Sequence, residues 1–482
     1  MPAAAGGNSP GSYPPYAGSV PLRPRHGKLA ARTTRSHFIA DLRIVLAERD
    51  FRRLFATRLI SQTGDGVFNA GLAAYVFFSA QIFPNPLAAA EAFAVLYLPY
   101  SLAGPFAGVF IDRWQRRQIL LWSALVRAVF VATTAFLIWS GTLGLPLYLG
   151  ALAVLGVNRF FLSALSAALP HVVAQDKLVM ANSVAPTSGT IVAFAGGLAG
   201  LGLHYVTGGG HRGSAVTLLA AGACYLIAGA AALRIPRGLL GPELKPGDPR
   251  LAGLAHEFRL VLAGLADGMR HIGRRRPAAA ALMATGSFRF LYGILLLMSI
   301  LLYRNYFYPP GNGNTALSHF SLLVATSAIG YGAAALVTPA ATRRLPKSAW
   351  IATLLVAGGI LTGLLGTTFR QVPFLIIGFV LGLVAQGVAI CTSTILQQQV
   401  DDEFRGRVFS INDMLYNATF VLGAAVSALF MPADGKSYAM LAVVAIGYLL
   451  AAAGYLLISR QVSGGAGSGP GSPSPAAQRS NS

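Results

Sequence analysis

"GPFAGVFIDRWQRRQILL", residues 104–121, is the stretch whose reading decides the architecture. An apolar run ends at Ile111. Asp112, Arg113, Gln115, Arg116 and Arg117 follow within six residues, and the chain then turns apolar again. A chain makes this pattern when it crosses a bilayer, turns in water and crosses back. The hydrocarbon core is about 30 Å thick and takes ~20 apolar residues per helical crossing. The arginines suit a turn held at the membrane surface. Gly104 and Gly108 let the helix before it approach a neighbour closely.

The rest of the chain repeats the pattern. Of 482 residues, 54% are hydrophobic and 11% are charged, against roughly 25% charged in a soluble domain. The shortage of charge is spread along the chain, so the class is an integral membrane protein with many spans. Apolar stretches recur near 54–79, 88–111, 119–140, 145–168, 185–207, 215–234, 278–303, 317–340, 349–368, 372–396, 408–431 and 437–459. The expected fold is therefore all-α: twelve transmembrane helices in two pseudo-symmetric six-helix halves. The long polar joint after the sixth span points to an internal repeat. The implied divisions are a disordered basic tail (1–45), an N-terminal six-helix bundle (46–234), a linker (235–277), a C-terminal six-helix bundle (278–460) and a disordered C-terminal tail (461–482).

The net charge is +21, from 37 Lys and Arg against 16 Asp and Glu. With the N-terminus inside, twenty-nine of the basic residues fall on inner segments and four on outer ones. That bias predicts both termini on the cytoplasmic side, and it accounts for the basic excess without nucleic acid. Within the linker, Leu251, Leu254, Phe258, Leu262, Leu265, Met269 and Ile272 recur at helical spacing between charges, which predicts an amphipathic helix on the inner leaflet. Cys224 and Cys391 both lie in apolar runs, so neither a disulfide framework nor a metal centre is implied. No secretory signal is evident at the start of the chain.

The segment "GVFIDRWQRR" resembles the loop 2–3 signature of the major facilitator superfamily, with Gly108, Asp112, Arg113, Arg116 and Arg117 in place and Gln115 where glycine is usual. The stretches "RDFRRLFATRLISQTGDGVFNAG" (49–71), "MANSV" (180–184) and "QQQVDDEFRGRVFSIND" (397–413) are similar to the drug and siderophore exporter branch, which includes enterobactin and macrolide efflux proteins. The resemblance implies a cytoplasmic gate in which Asp112 latches onto the start of span 11, where Arg405, Gly406 and Arg407 are its counterparts. The loop after span 8 keeps Arg343, Arg344 and Lys347 but has no aspartate, so a second, symmetric latch is not implied.

Polar residues form stripes on the spans. Arg58, Gln62, Asp65 and Asn69 fall within one arc of span 1. Span 7 carries Thr285, Arg289, Tyr292 and Ser299, span 4 carries Arg159, Ser163 and Ser166, and span 10 carries Gln386, Ser393 and Gln397. The resemblance implies that these four spans line the central cavity. Charges inside a membrane default to functional hypotheses. Asp65, paired with Arg159, is the expected proton-coupling group. Asp413 is a second candidate, although its place near the start of span 11 also suits a helix N-terminal carboxylate. Arg289 has no obvious acidic partner in its half and suits an anionic ligand or a cluster of carbonyls. The glycines of span 5, Gly189, Gly196, Gly197 and Gly200, read chiefly as close packing. Glu91, at the outer end of span 2, reads as solvated, and His171 and His204 read as interfacial.

The function that follows is a proton-coupled efflux carrier for a small amphipathic compound such as a drug or siderophore. It works as a monomer in the bacterial plasma membrane by alternating access. No phosphate-binding Gly-x4-Gly-Lys motif is present in the sequence, and no cofactor, metal or nucleic-acid partner is expected. The competing readings are a lipid-handling membrane protein, either flippase or enzyme, and a non-transporting receptor. An enzyme would want a cluster of carboxylates or His/Glu ligands, and "VDDEF" (400–404) is the sole acidic cluster in the sequence.

Overall fold

The computed structural model describes residues 48–78, 86–103, 114–142, 144–174, 178–241, 254–308 and 312–465. Among them there is no strand. The long helices are α1 (Arg49–Phe78), α2 (Pro86–Ala103), α3 (Arg116–Trp139), α4 (Leu145–Ala168), α5 (Leu178–Val206), α6 (Gly210–Leu233), α7 (Leu254–Arg274), α8 (Arg276–Leu301), α9 (Gly313–Thr342), α10 (Lys347–Gly366), α11 (Gln371–Gln399), α12 (Asp402–Ala428) and α13 (Tyr438–Gly465). Helix α7 lies in the central joint, so α1–α6 are the first six spans and α8–α13 the last six.

Among the described residues, nine helices are long and apolar enough to cross a bilayer on those grounds alone: α3–α6, α8–α11 and α13. Helices α1 and α12 fall outside that set because their polar stripes lower the hydropathy of otherwise spanning helices. Helix α2 is described over 18 residues. Tight reversals separate the spans. Gly144 before α4 and Gly209 before α6 take φ of 88° and 67°, which glycine adopts without a Cβ penalty.

The halves repeat each other in how their helices pair. In the first half α1 packs on α5 and α6, α3 on α4 and α6, and α2 on α4. In the second half α8 packs on α12 and α13, α10 on α11 and α13, and α9 on α11. Each pairing recurs six spans later. The close crossings repeat too. A Cβ on Gly66 would run into the Ala193 carbonyl, and one on Gly196 into the Thr63 carbonyl, which locks α1 against α5. At the equivalent crossing of α8 and α12, Gly293 faces the Phe420 carbonyl and Gly423 the Phe290 carbonyl. Lipid offers helices little hydrophobic reason to associate, so close packing through small residues carries much of the attraction. The glycine stripe of span 5 is thus a packing surface.

The bundle has two ends. The linker face carries α7, and the far face carries the turns at 140–144, 207–209, 367–370 and 429–437. Towards the far face the two halves touch. The Tyr205 hydroxyl donates to the Asn314 carbonyl at 3.1 Å. Phe78 packs on Phe320 with ring centroids 5.1 Å apart, and Phe420 meets Phe93 and Tyr97 at 5.3 and 5.4 Å. On the far-face rim the Lys436 ammonium donates to the Tyr306 hydroxyl at 3.0 Å, which raises its pKa.

At the linker face, α7 rests on α12 through Gly264 and Gly268, which abut the Arg407 side chain. Its apolar stripe is divided. Leu265 and Ile272 join the core made with α8, α11 and α12, whereas Leu262 and Met269 are exposed. Arg275 grips Asp401 with both carboxylate oxygens at 3.0 Å. The His271 ring stacks on Phe404 at 4.4 Å.

Candidate functional site

Four arginines lie inside the spans, and the structure treats them differently. Arg127 on α3 is fully buried. A guanidinium has five N–H donors, and here they are well supplied. Nη1 donates to Asp65 Oδ1 at 3.0 Å and to Asn158 Oδ1 at 2.8 Å. Nη2 donates to Ser61 Oγ at 2.7 Å, and Nε to the Ser123 carbonyl at 3.3 Å. The Tyr225 hydroxyl donates to the same Asp65 oxygen at 2.9 Å. The rings of Phe161 and Tyr225 flank the guanidinium with centroids at 4.4 and 4.2 Å from Cζ. One network ties α1, α3, α4 and α6 together.

The expected Asp65–Arg159 pair is therefore not formed. Asp65 sits at the edge of its stripe, and Ser61, one turn earlier, lies further round the same side. Together they face α3 and α6. On α4 the neighbouring residue, Asn158, supplies the inward contact, and Arg159 points 100° away. The other members of the span 1 stripe turn to local partners. Arg58 Nε donates to Gln62 Oε1 at 2.9 Å, and Asn69 Nδ2 to the Asp65 carbonyl at 2.8 Å.

Arg159 instead reaches across to the second half, where its Nη2 lies 3.7 Å from Asp413 Oδ2. The side chains are 20% and 56% exposed. Helix α12 begins at Asp402, so Asp413 sits three turns inside it, about 16 Å from its start at 1.5 Å per residue. The reading of Asp413 as a helix N-terminal carboxylate is corrected accordingly.

Arg289 on α8 is 8% exposed. Its Nε donates to the Tyr416 carbonyl at 3.1 Å. Three rings surround Cζ: Tyr416 at 3.8 Å, Phe420 at 4.6 Å and Tyr292 at 5.3 Å. Among the described residues no carboxylate pairs with it. Arg289 and Tyr292 line a cavity of about 210 Å³ between α8, α9, α11 and α12, with Phe194 of α5 also in its lining. Ser163, Gln386 and Ser393 are half-buried and do not line it, nor do Arg58, Gln62 and Asn69. His204, two residues from the end of α5, is buried beside the Ser214 hydroxyl.

Of the gating residues, Gly108, Asp112 and Arg113 lie outside the described residues. Arg116 and Arg117 begin α3 and bind within their own half. Arg116 Nη1 donates to the Leu240 carbonyl at 2.9 Å and lies 3.3 Å from the His171 ring nitrogens. Arg117 Nη2 donates to the Leu233 carbonyl at 3.0 Å. Arg405 Nη2 donates to the Gln397 carbonyl at 3.0 Å, tying α12 to the end of α11. Arg407 lies over the Phe404 ring at 5.4 Å.

Sequence reasoning missed Arg127, Asn158 and Tyr225, and the aromatic shell of Arg289. A signal for the first was present: Ser123, Arg127 and Thr134 form a polar stripe on span 3, and all three are buried. Aromatic residues on membrane helices carry no comparable mark, because they are common in apolar runs.

Two repeated six-helix halves, with buried charge in each and a cavity beside their junction, define a membrane carrier. The comparisons agree. A family model described as Major Facilitator Superfamily matches residues 311–480. Uncharacterized MFS-type transporters of Mycobacterium tuberculosis and Mycobacterium bovis are each 35% identical over 390 residues, covering 80% of this chain and 86% of theirs. Among solved structures, the nucleoside transporter NupG superposes with a TM-score of 0.58 at 15% identity, covering 86% of this chain and 98% of that one. A bacterial homologue of the iron transporter ferroportin, in an inward-facing state, gives 0.60 at 15% identity, with 85% and 98% covered. The chain belongs to the major facilitator superfamily and is a multi-pass membrane transporter.

Proposed function

We propose that the protein is a proton-coupled exporter of a small amphipathic compound, working by alternating access as a monomer in a bacterial plasma membrane, with both termini cytoplasmic and without nucleic acid. The observation that carries this reading is the Arg159–Asp413 pair. It joins the two halves three turns deep in α12 through a carboxylate that is more than half exposed. At 3.7 Å and with its carboxylate open, this pair is held less tightly than a short, fully buried one. That suits a contact made and broken in every cycle, as the buried Arg127 network does not. Loss of the Asp413 charge on protonation breaks this tie between the halves. The far-face contacts supply the closed gate of one state, so water reaches Asp413 from the linker face. The distribution of Lys and Arg makes that face cytoplasmic, and the export direction follows the resemblance to the efflux branch.

The test is uphill flux of a panel of amphipathic drugs and siderophores into inside-out proteoliposomes under an imposed pH gradient. Wild type should concentrate at least one member and move protons as it does so. Asp413→Asn should keep downhill exchange and lose uphill flux. Uphill flux with unchanged proton movement in Asp413→Asn would end the coupling assignment. Absence of any flux in wild type would end the carrier reading for this panel.

A further inference from the structure

The spans contain four arginines and, among the described residues, two aspartates. Asp65 is taken by Arg127 and Asp413 by Arg159. Arg58 and Arg289 have no carboxylate partner among the described residues. A buried cation without a counter-charge is costly, by several kcal/mol even after relaxation. Arg58 spends its Nε on Gln62 near the linker face. Arg289 is the more telling case because it opens onto a cavity.

Among the described residues, only Nε of Arg289 finds an acceptor, the Tyr416 carbonyl. Its two Nη groups, with four N–H donors between them, have none among the described residues, and Arg289 lines the cavity. Three tyrosines, Tyr292, Tyr331 and Tyr416, line the same cavity. Their hydroxyls make no hydrogen bond to the described residues, and none is sealed from the cavity as an orphaned buried atom. Arg289 is also the sole charged residue of the lining, and apart from Ser299 and Ser327 the rest is apolar or aromatic. The donor set is thus a fork of guanidinium N–H groups and three phenolic O–H groups, with no acid to oppose an anion and apolar walls beside it.

We infer that this cavity is the substrate site and that its ligand is an amphiphile with an anionic head, a carboxylate or its like, on an apolar or aromatic body. This rests on the carrier reading above and names the substrate class for it. The head takes the two Nη groups in a bidentate pair and accepts from the tyrosine hydroxyls. The body lies against Phe194, Phe320 and Phe374. The rings stacked on the guanidinium hold it in one plane, so the fork is preorganised before the ligand arrives.

The experiment compares three probes of one shape: naphthoate, the neutral naphthamide and the cationic naphthylmethylammonium. Binding to the purified full chain is followed by isothermal titration. Naphthoate should bind about tenfold or more tightly than naphthamide, the range a charge-assisted pair gives, and the cation should bind weakest. Arg289→Gln should erase the difference between naphthoate and naphthamide, and Arg289→Lys should restore part of it, since a lysine keeps the charge and loses the fork. Should Arg289→Gln yield no folded protein, Tyr331→Phe carries the test: it removes one donor hydroxyl and should weaken naphthoate several-fold while leaving naphthamide unchanged. Equal binding of naphthoate and naphthamide by wild type would overturn the inference, as would a naphthoate preference that survives in Arg289→Gln. Flux of the neutral or cationic probe alone in proteoliposomes would leave the carrier reading standing and sink the anionic one.

Discussion

Asp65→Ala should destabilise the protein strongly, and removal of Arg127 with it should repair much of the damage. In the wild type, Asp65 Oδ1 accepts from Arg127 Nη1 at 3.0 Å and from the Tyr225 hydroxyl at 2.9 Å. Alanine deletes both contacts and leaves a guanidinium with 0% exposure without its counter-charge. Breaking a buried pair from one side costs about 3–5 kcal/mol. Replacing both members by apolar residues is often close to neutral. Asp65→Ala with Arg127→Met should therefore recover roughly 2 kcal/mol or more relative to Asp65→Ala alone. The assay is unfolding of the purified protein in detergent by titrated denaturant, read in a double-mutant cycle, with flux measured at matched abundance. If Asp65 only holds the bundle, the double variant transports near the wild-type rate. A stable Asp65→Ala protein that has lost only proton coupling would refute this and return Asp65 to the coupling role.

Gly196→Leu should give little folded protein, because its side chain meets the Thr63 carbonyl, whereas Gly202→Leu, with open space around it, should be tolerated; abundance of monodisperse protein in detergent decides. Arg275→Ala removes an exposed ion pair with Asp401 and should shift global stability by under about 1 kcal/mol, while amide exchange along α7 rises several-fold. Cysteines introduced by Thr368→Cys and Arg344→Cys, in a background with Cys224 and Cys391 replaced, test orientation. The first should react with an impermeant thiol reagent applied to intact cells and the second should not, and the reverse pattern would invert the topology.

The fold was legible because the bilayer imposes one length and one polarity on every crossing. The loop at 112–117 marked a reversal, and the same signal recurred along the chain. The site was legible only as an inventory. Arg159, Arg289 and Asp413 stood out because charge inside a span is rare. Their partners did not, because partnership depends on helix rotation finer than a stripe resolves. Asp65 and Ser61 differ by 40° on the wheel, and that rotation turns Asp65 to Arg127 rather than Arg159. Arg127 was marked only by the short stripe of Ser123, Arg127 and Thr134, and its role shows when Ser61 and Asp65 of α1 and Asn158 of α4 are brought to it from two other helices. The aromatic shell of Arg289 draws on α8 and α12, which are distant in the chain.

The chain between the two halves is held at both ends. Arg116 and Arg117 fasten Leu233 and Leu240 to the first half, and Arg275 fastens the end of α7 to Asp401 of the second. The linker helix itself belongs to the second body, because Leu265 and Ile272 share the core made with α8, α11 and α12. In mechanical terms the molecule is a heterodimer written as one polypeptide, one body ending at Leu240 and the other beginning with α7. Two separate chains divided between residues 241 and 254 should still find each other in the membrane and assemble into a working carrier.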